Sequence, residues 1–172
     1  TACETCAAGM NSIAGGLCVD CITVGSYTPD AISCAVCGDG WEPWPSRMGC
    51  GQCVLGSAGV AGVCSTCSSG TVPSADRSTC DTCRVGTYSG VGASVCEPCV
   101  AGFADIDQQA DTECTICAAG TYTPAETTAC TDCAVGTFLD VTGSDEASDC
   151  IDCVAGKYVV ATGSDEASDC ID

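Results

Sequence analysis

The large side chains of this sequence recur by their place in a repeating unit and not by the 3.6-residue period of a helix. Tyr27, Tyr88, Tyr122, Phe138 and Tyr158 each stand two residues after a glycine, and Trp41 and Phe103 directly follow one. Between them run loops rich in Thr, Ser and Ala. Stretches such as Gly86-Thr87-Tyr88-Ser89 and Gly156-Lys157-Tyr158-Val159-Val160 suit short strands or two-stranded ribbons between turns. The pattern predicts mostly coil, short β-structure and no long helix.

The unit is seen most plainly in Cys117 to Cys133, CAAGTYTPAETTACTDC. A C-x-x-C pair is followed by two small residues, a glycine, an aromatic and a loop that ends at the next pair. Ten such pairs begin at Cys3, Cys18, Cys34, Cys50, Cys64, Cys80, Cys96, Cys114, Cys130 and Cys150, and Cys170 reads as the opening of another. Their first cysteines step by 15, 16, 16, 14, 16, 16, 18, 16, 20 and 20 residues. Residues 1–172 are therefore one array of about ten units of 14 to 20 residues, in which each unit contacts mainly its neighbours. The expected fold is a small disulfide-rich repeat, an elongated rod of tandem C-x-x-C units with short β-strands and coil and no large hydrophobic core.

A glycine lies three residues after the second cysteine of most pairs: Gly9, Gly40, Gly56, Gly70, Gly86, Gly102, Gly120, Gly136 and Gly156, with Gly25 one place late. A glycine so placed supplies a positive φ or lets the chain pass close to a disulfide. The aromatics that follow read as lids over the cystines. A stacking row for sugars or bases is the competing use, and the acidic surroundings argue against bases. The units at 133–152 and 153–172 are duplicates, identical at 13 of 20 positions including TGSDEASDCID. The chain starts at Thr1 without a leader and stops inside a repeat, so it is expected to be a piece of a longer protein.

Composition explains why cysteine carries the fold. There are 21 cysteines in 172 residues, and cysteine and alanine supply much of the 46% apolar content. A chain that buries so little Leu, Phe and Met needs staples. Dense thiols point to an oxidising compartment, outside the cell or on its surface. The longest apolar runs, such as Tyr158 to Ala161, are far short of the roughly 20 residues that cross a bilayer.

Two pairings suit the arithmetic. In one, the second cysteine of each pair closes a loop with the first of the next: Cys6–Cys18, Cys21–Cys34, Cys37–Cys50, Cys53–Cys64, Cys67–Cys80, Cys83–Cys96, Cys99–Cys114, Cys117–Cys130, Cys133–Cys150 and Cys153–Cys170, leaving Cys3 unpaired. In the other, consecutive pairs join crosswise, as Cys3–Cys18 with Cys6–Cys21. The first gives one closed ring per unit and is preferred. Each ring of about 15 residues is then worth roughly 3 kcal/mol through lost unfolded-state entropy. Four-cysteine zinc sites are the rival. Each would add two further negative charges to a chain already at −19.

Four basic against 23 acidic residues oppose nucleic acid and anionic membranes as partners. The acidic clusters offer weak calcium candidates: Asp145, Glu146 and Asp149, their copies Asp165, Glu166 and Asp169, and the group Asp105, Asp107, Asp111 and Glu113. No metal or other cofactor is expected. With no histidine and no phosphate loop, neither is an enzyme. Asn11 is not in an N-glycosylation sequon, whereas the Thr/Ser loops are candidate O-glycan sites.

The irregular unit at 37–50 holds GDGWEPWPSRMG, with both tryptophans. Trp41, Trp44, Arg47 and Met48 form either local packing under an enlarged loop or a contact patch for another chain.

Units such as Cys83-Arg84-Val85-Gly86-Thr87-Tyr88 running to Cys96-Glu97-Pro98-Cys99 resemble the ephrin-receptor-like cysteine-rich repeats. They are also similar to the first submodule of tumour necrosis factor receptor repeats, and to the repeats of ciliate immobilisation antigens and other protist surface or flagellar-hair proteins. The resemblance implies the loop-closing disulfides and an extracellular place. The expected function is an extracellular structural protein: a surface coat, stalk or self-assembling filament whose partners are copies of itself or other surface proteins. The alternative is a receptor or adhesin ectodomain that binds a protein ligand.

Overall fold

The computed structural model describes residues 10–13, 17–20, 26–27, 35–45 and 49–172. Nine two-stranded antiparallel hairpins succeed one another among the described residues, and no α-helix occurs there. The hairpins share one register. The residue after the glycine pairs with the residue before the second cysteine of the next pair, as Trp41 with Gln52, Ser57 with Thr66, Thr87 with Pro98, Phe103 with Ile116, Thr121 with Asp132 and Thr137 with Asp152. Ser26 with Val36 obeys the same rule. The register thus follows the glycine.

The glycine sets the hairpin because it ends a tight turn. In Cys99-Val100-Ala101-Gly102-Phe103 the Phe103 N–H donates to the Val100 carbonyl at 3.0 Å, with Gly102 at φ +82°. Thr121 to Ala118, Thr137 to Ala134 and Lys157 to Val154 repeat this at 3.1, 3.1 and 2.9 Å. Positive φ at the third residue of a four-residue turn is the type II geometry, which favours glycine. The glycine carbonyl then accepts the N–H of the second cysteine of the next pair, as Cys117 to Gly102 at 2.9 Å and Cys133 to Gly120 at 2.8 Å.

Seven of these hairpins are bridged by a described cystine, and an eighth cystine closes the last ring. Eight are present among the described residues: Cys37–Cys50, Cys53–Cys64, Cys67–Cys80, Cys83–Cys96, Cys99–Cys114, Cys117–Cys130, Cys133–Cys150 and Cys153–Cys170. Their Cα separations of 5.6 to 5.9 Å lie in the ordinary range for a cystine. This is the loop-closing pairing. Cys3, Cys6, Cys21 and Cys34 lie outside the described residues, so the expected Cys6–Cys18 and Cys21–Cys34 bridges and the unpaired Cys3 do too.

The described chain falls into two compact units, Thr1–Ser68 with Val72–Asp81 and Val91–Val95, and Ser69–Thr71 with Thr82–Gly90 and Cys96–Asp172. In the first, the buried apolar groups are Cys37, Cys53, Ala58 and Cys67. In the second they are Cys83, Cys99, Ala104, Cys117, Cys133, Leu139, Val159 and Cys170. Cysteine is the core in both, as the composition demands. The aromatics are not full lids: Tyr88, Phe103, Tyr122 and Phe138 are half-buried and Tyr158 and Trp41 are exposed.

The duplicated loops form two short 3-10 turns, Ala147–Asp149 and Ala167–Asp169. In the first, the Asp149 carboxylate accepts the N–H groups of Asp145 and Glu146, both at 3.2 Å. A side-chain acceptor at the head of the turn satisfies donors that the turn itself leaves free.

Candidate functional site

The feature that recurs through the second unit is the seam between successive rings, built on the residue three after each glycine. Its carbonyl accepts from the glycine of the ring before, and its own N–H donates to the loop of the ring after. Thr123 takes Gly102 N–H at 2.8 Å and gives to Ser144 at 3.0 Å. Leu139 takes Gly120 at 2.7 Å and gives to Ser164 at 3.0 Å. Ser89 takes Gly70 at 2.8 Å and gives to Ala110 at 2.9 Å. Parallel bridges Ala104 to Thr127 and Tyr122 to Ser144 lie along the same seam.

These positions are buried, with Thr123 at 0% exposure and Leu139 at 1%. Ser89, Asp105 and Val159 are also buried. Sequence reasoning missed them because their side chains, Ser, Asp, Thr, Leu and Val, share no chemistry. What is buried there is backbone, which must be paired out of water. Asp105 varies the theme: its carboxylate, in place of its carbonyl, accepts the Gly86 N–H at 2.9 Å. A second set of bonds returns from each loop to the preceding cysteine, Glu126 to Cys99 at 2.9 Å, Gly143 to Cys117 at 2.8 Å and Gly163 to Cys133 at 2.9 Å.

In the first unit the seam has the same form, with Gly40 N–H to Gly59 carbonyl at 2.7 Å and Gly59 N–H to Arg77 carbonyl at 2.9 Å. The Arg77 guanidinium also donates to the Cys53 carbonyl. The other described cations are engaged as well, Arg84 with Glu126 at 2.8 Å and Lys157 with Asp172 at 3.2 Å. Each described cation therefore meets an acceptor within the chain.

Among the described residues no group of three or more His, Cys, Asp or Glu side chains stands close enough to hold a metal ion. The calcium candidates Asp145, Glu146 and Asp149 are accordingly not assembled into a site: Asp149 caps the 3-10 turn, and Glu146 accepts the Ser148 hydroxyl at 3.0 Å. In the Asp105 to Glu113 loop, Asp107 accepts the Gln109 N–H at 3.0 Å and the Thr112 hydroxyl at 3.0 and 3.1 Å, which lowers its pKa. Asp76 is held lower, at about 2, by the Ser74 hydroxyl and by the Ser78 N–H and hydroxyl. These carboxylates shape loops. Burial, and then the negative charges of Glu97 and Glu113, raise the Tyr88 phenol pKa.

Trp41 and Trp44 are 44% and 52% exposed. Trp44 is seated over Gly49 and Gly51: a methyl group at Gly51 would stand 2.7 Å from the indole nitrogen. One face of Trp44 therefore serves local packing and the rest meets solvent. Arg47 and Met48, the other half of the patch, lie outside the described residues. A further feature, unremarked in the sequence, is that the turn tips carry exposed aliphatic side chains in the two places after the second cysteine, among them Val54, Leu55, Val85, Val100, Val135 and Val154. The small and aliphatic residues that directly follow the second cysteine were the available signal. A shallow cleft of about 160 Å³ beside Cys99 is lined by Tyr88, Phe103, Pro98 and Glu113, which brings two of the aromatics to one cystine.

No helix among the described residues is long and apolar enough to cross a membrane. Residues 106–150 and 120–170 match the family model described as tyrosine-protein kinase ephrin type A/B receptor-like. The match bears out the ephrin-receptor-like resemblance over these residues. No curated protein matches the chain. The ladder of cystines and this match together point to an extracellular disulfide-rich domain.

Proposed function

We infer, from ephrin-receptor-like repeats at 106–170 as the premise, that the protein is a non-catalytic structural component of a cell surface or extracellular layer: a coat, stalk or filament. The observation that carries this reading is the seam. The turn glycines Gly40, Gly70, Gly86, Gly102, Gly120 and Gly136 spend their N–H groups on the next ring and every described cation is matched internally, so these polar groups serve the chain's own docking and leave little for a soluble anionic ligand. The exposed aliphatic residues in the two places after the second cysteine support association with other copies or with other surface proteins, because exposed apolar groups gain by burial. A contact between unlike faces of identical copies propagates into open fibres.

Electron microscopy of the native, unreduced protein, with a reduced sample alongside, tests the reading. Filaments or sheets that lose order on reduction are expected. Isolated single particles at every concentration would overturn it and favour the receptor or adhesin ectodomain, for which the exposed Trp41 and Trp44 are the supporting observation.

A further inference from the structure

The described cystines are sequential and do not overlap. Cys83 closes on Cys96, Cys99 on Cys114, Cys117 on Cys130, Cys133 on Cys150 and Cys153 on Cys170, with two residues between one ring and the next. A pull along the chain enters a ring at one cysteine, crosses the sulfur bridge and leaves at its partner. The loop, with its turn, hairpin and acidic residues, lies outside the path of the load.

We propose that the protein is a tether of fixed maximum extension, in which the cystines carry tension and the ring-to-ring backbone bonds are the elements that yield. The proposal rests on the structural reading above and adds a mechanical role to it. The yielding bonds are those of the seam, such as Gly102 N–H to Thr123, Thr123 N–H to Ser144 and Gly143 N–H to Cys117. Few large apolar side chains accompany them, Leu139 and Val159 being the main ones. Rings separate under modest force and stay intact, because each ring is bridged at its base. Redocking then needs no refolding.

The geometry sets a ceiling. A stretched unit consists of a cystine, with Cα atoms 5.7 Å apart, and the three peptide steps from Cys96 to Cys99. That amounts to about 17 Å per unit. With the bridges open, a 16-residue unit such as Cys83 to Cys99 reaches about 55 Å.

Single-molecule force spectroscopy of the 172-residue chain between handles of known length is the test. It is done before and after treatment with a phosphine, which converts each cystine to two thiols and takes up oxygen from water. The oxidised chain is expected to stop near the short limit and the reduced chain to gain roughly threefold in length per described unit. The variant Cys117→Ser with Cys130→Ser, left oxidised, is expected to show one added step of about 40 Å, the length its ring conceals. An oxidised chain that already reaches the reduced length, or a reduced chain that gains nothing, overturns the tether. If the variant does not fold, the wild-type pair of measurements still decides. Because single chains are pulled, failure here is distinct from failure to form filaments.

Discussion

Gly102 lies against Gly143, two rings along the chain, so closely that a methyl group on Gly102 would overlap the Gly143 carbonyl oxygen. Gly120 stands in the same relation to Gly163. The glycine therefore meets two separate requirements, a φ of +82° and a flat surface on which a later loop rests. Gly136, at φ +85°, meets the first alone, since nothing lies within 4 Å of its added methyl.

The two requirements can be separated by mutation. Gly136→Ala is expected to cost about 1–2 kcal/mol, from the left-handed backbone alone. Gly102→Ala adds overpacking against a carbonyl that belongs to another ring, about 1–3 kcal/mol more. Urea denaturation of the oxidised proteins measures the difference. Equal losses would mean that the close approach has no energetic weight.

Stability should change little with pH above 5 and fall in acid. The folded pKa of Asp76, about 2, lies below the usual unfolded value of about 3.9. Its contribution is therefore fully present above pH 4 and is lost as pH falls from about 4 to 2. Asp107 is shifted in the same direction and adds to the same window. Asp76→Asn is expected to lower the urea midpoint at neutral pH, where the contribution is present, and to flatten the acid limb, so that the variant and wild-type curves converge towards pH 2. An acid limb identical to that of the wild type would remove Asp76 from the account.

Much of this fold was legible because it depends on cysteines, glycines and spacing, which sequence displays directly. The loop-closing pairing, the short strands and the absence of long helices follow from those residues. The seam was not legible. Thr123, Leu139, Ser89 and Asp105 occupy one structural position, yet a reader who looks for apolar burial finds four unrelated side chains. Backbone hydrogen bonding placed them there, and it leaves no mark on residue type. The aromatics, read as lids over the cystines, remain half in solvent because cystines fill the small interior. The acidic loops looked like ligand sets because sequence shows carboxylates and hides the N–H and O–H donors, such as those around Asp149 and Asp107, that occupy them.

The Cys67–Cys80 bridge should be the first of the described bridges to be reduced. Cys80 is exposed, whereas every other cysteine of the eight described bridges is half-buried or buried. Thiol attack requires access to a sulfur atom. Brief treatment with a small reductant, alkylation and mass spectrometry should find Cys67 and Cys80 labelled before Cys99 and Cys114. The reverse order would show that exposure does not govern lability here.

The Arg84–Glu126 pair should matter little. Its side chains are 73% and 50% exposed, and a solvated pair contributes between about 0 and 1 kcal/mol. Arg84→Ala is expected to shift the urea midpoint by less than Gly102→Ala does. A larger shift would give the cations a structural weight denied to them above.

The central claim is that each ring closes on itself. Peptide mapping of the unreduced protein, digested in acid to prevent exchange, tests it most directly. The account predicts peptides that join Cys99 to Cys114, Cys117 to Cys130 and Cys133 to Cys150. Peptides that join Cys114 to Cys130 and Cys117 to Cys133 would contradict it, as would free thiols released with stoichiometric zinc.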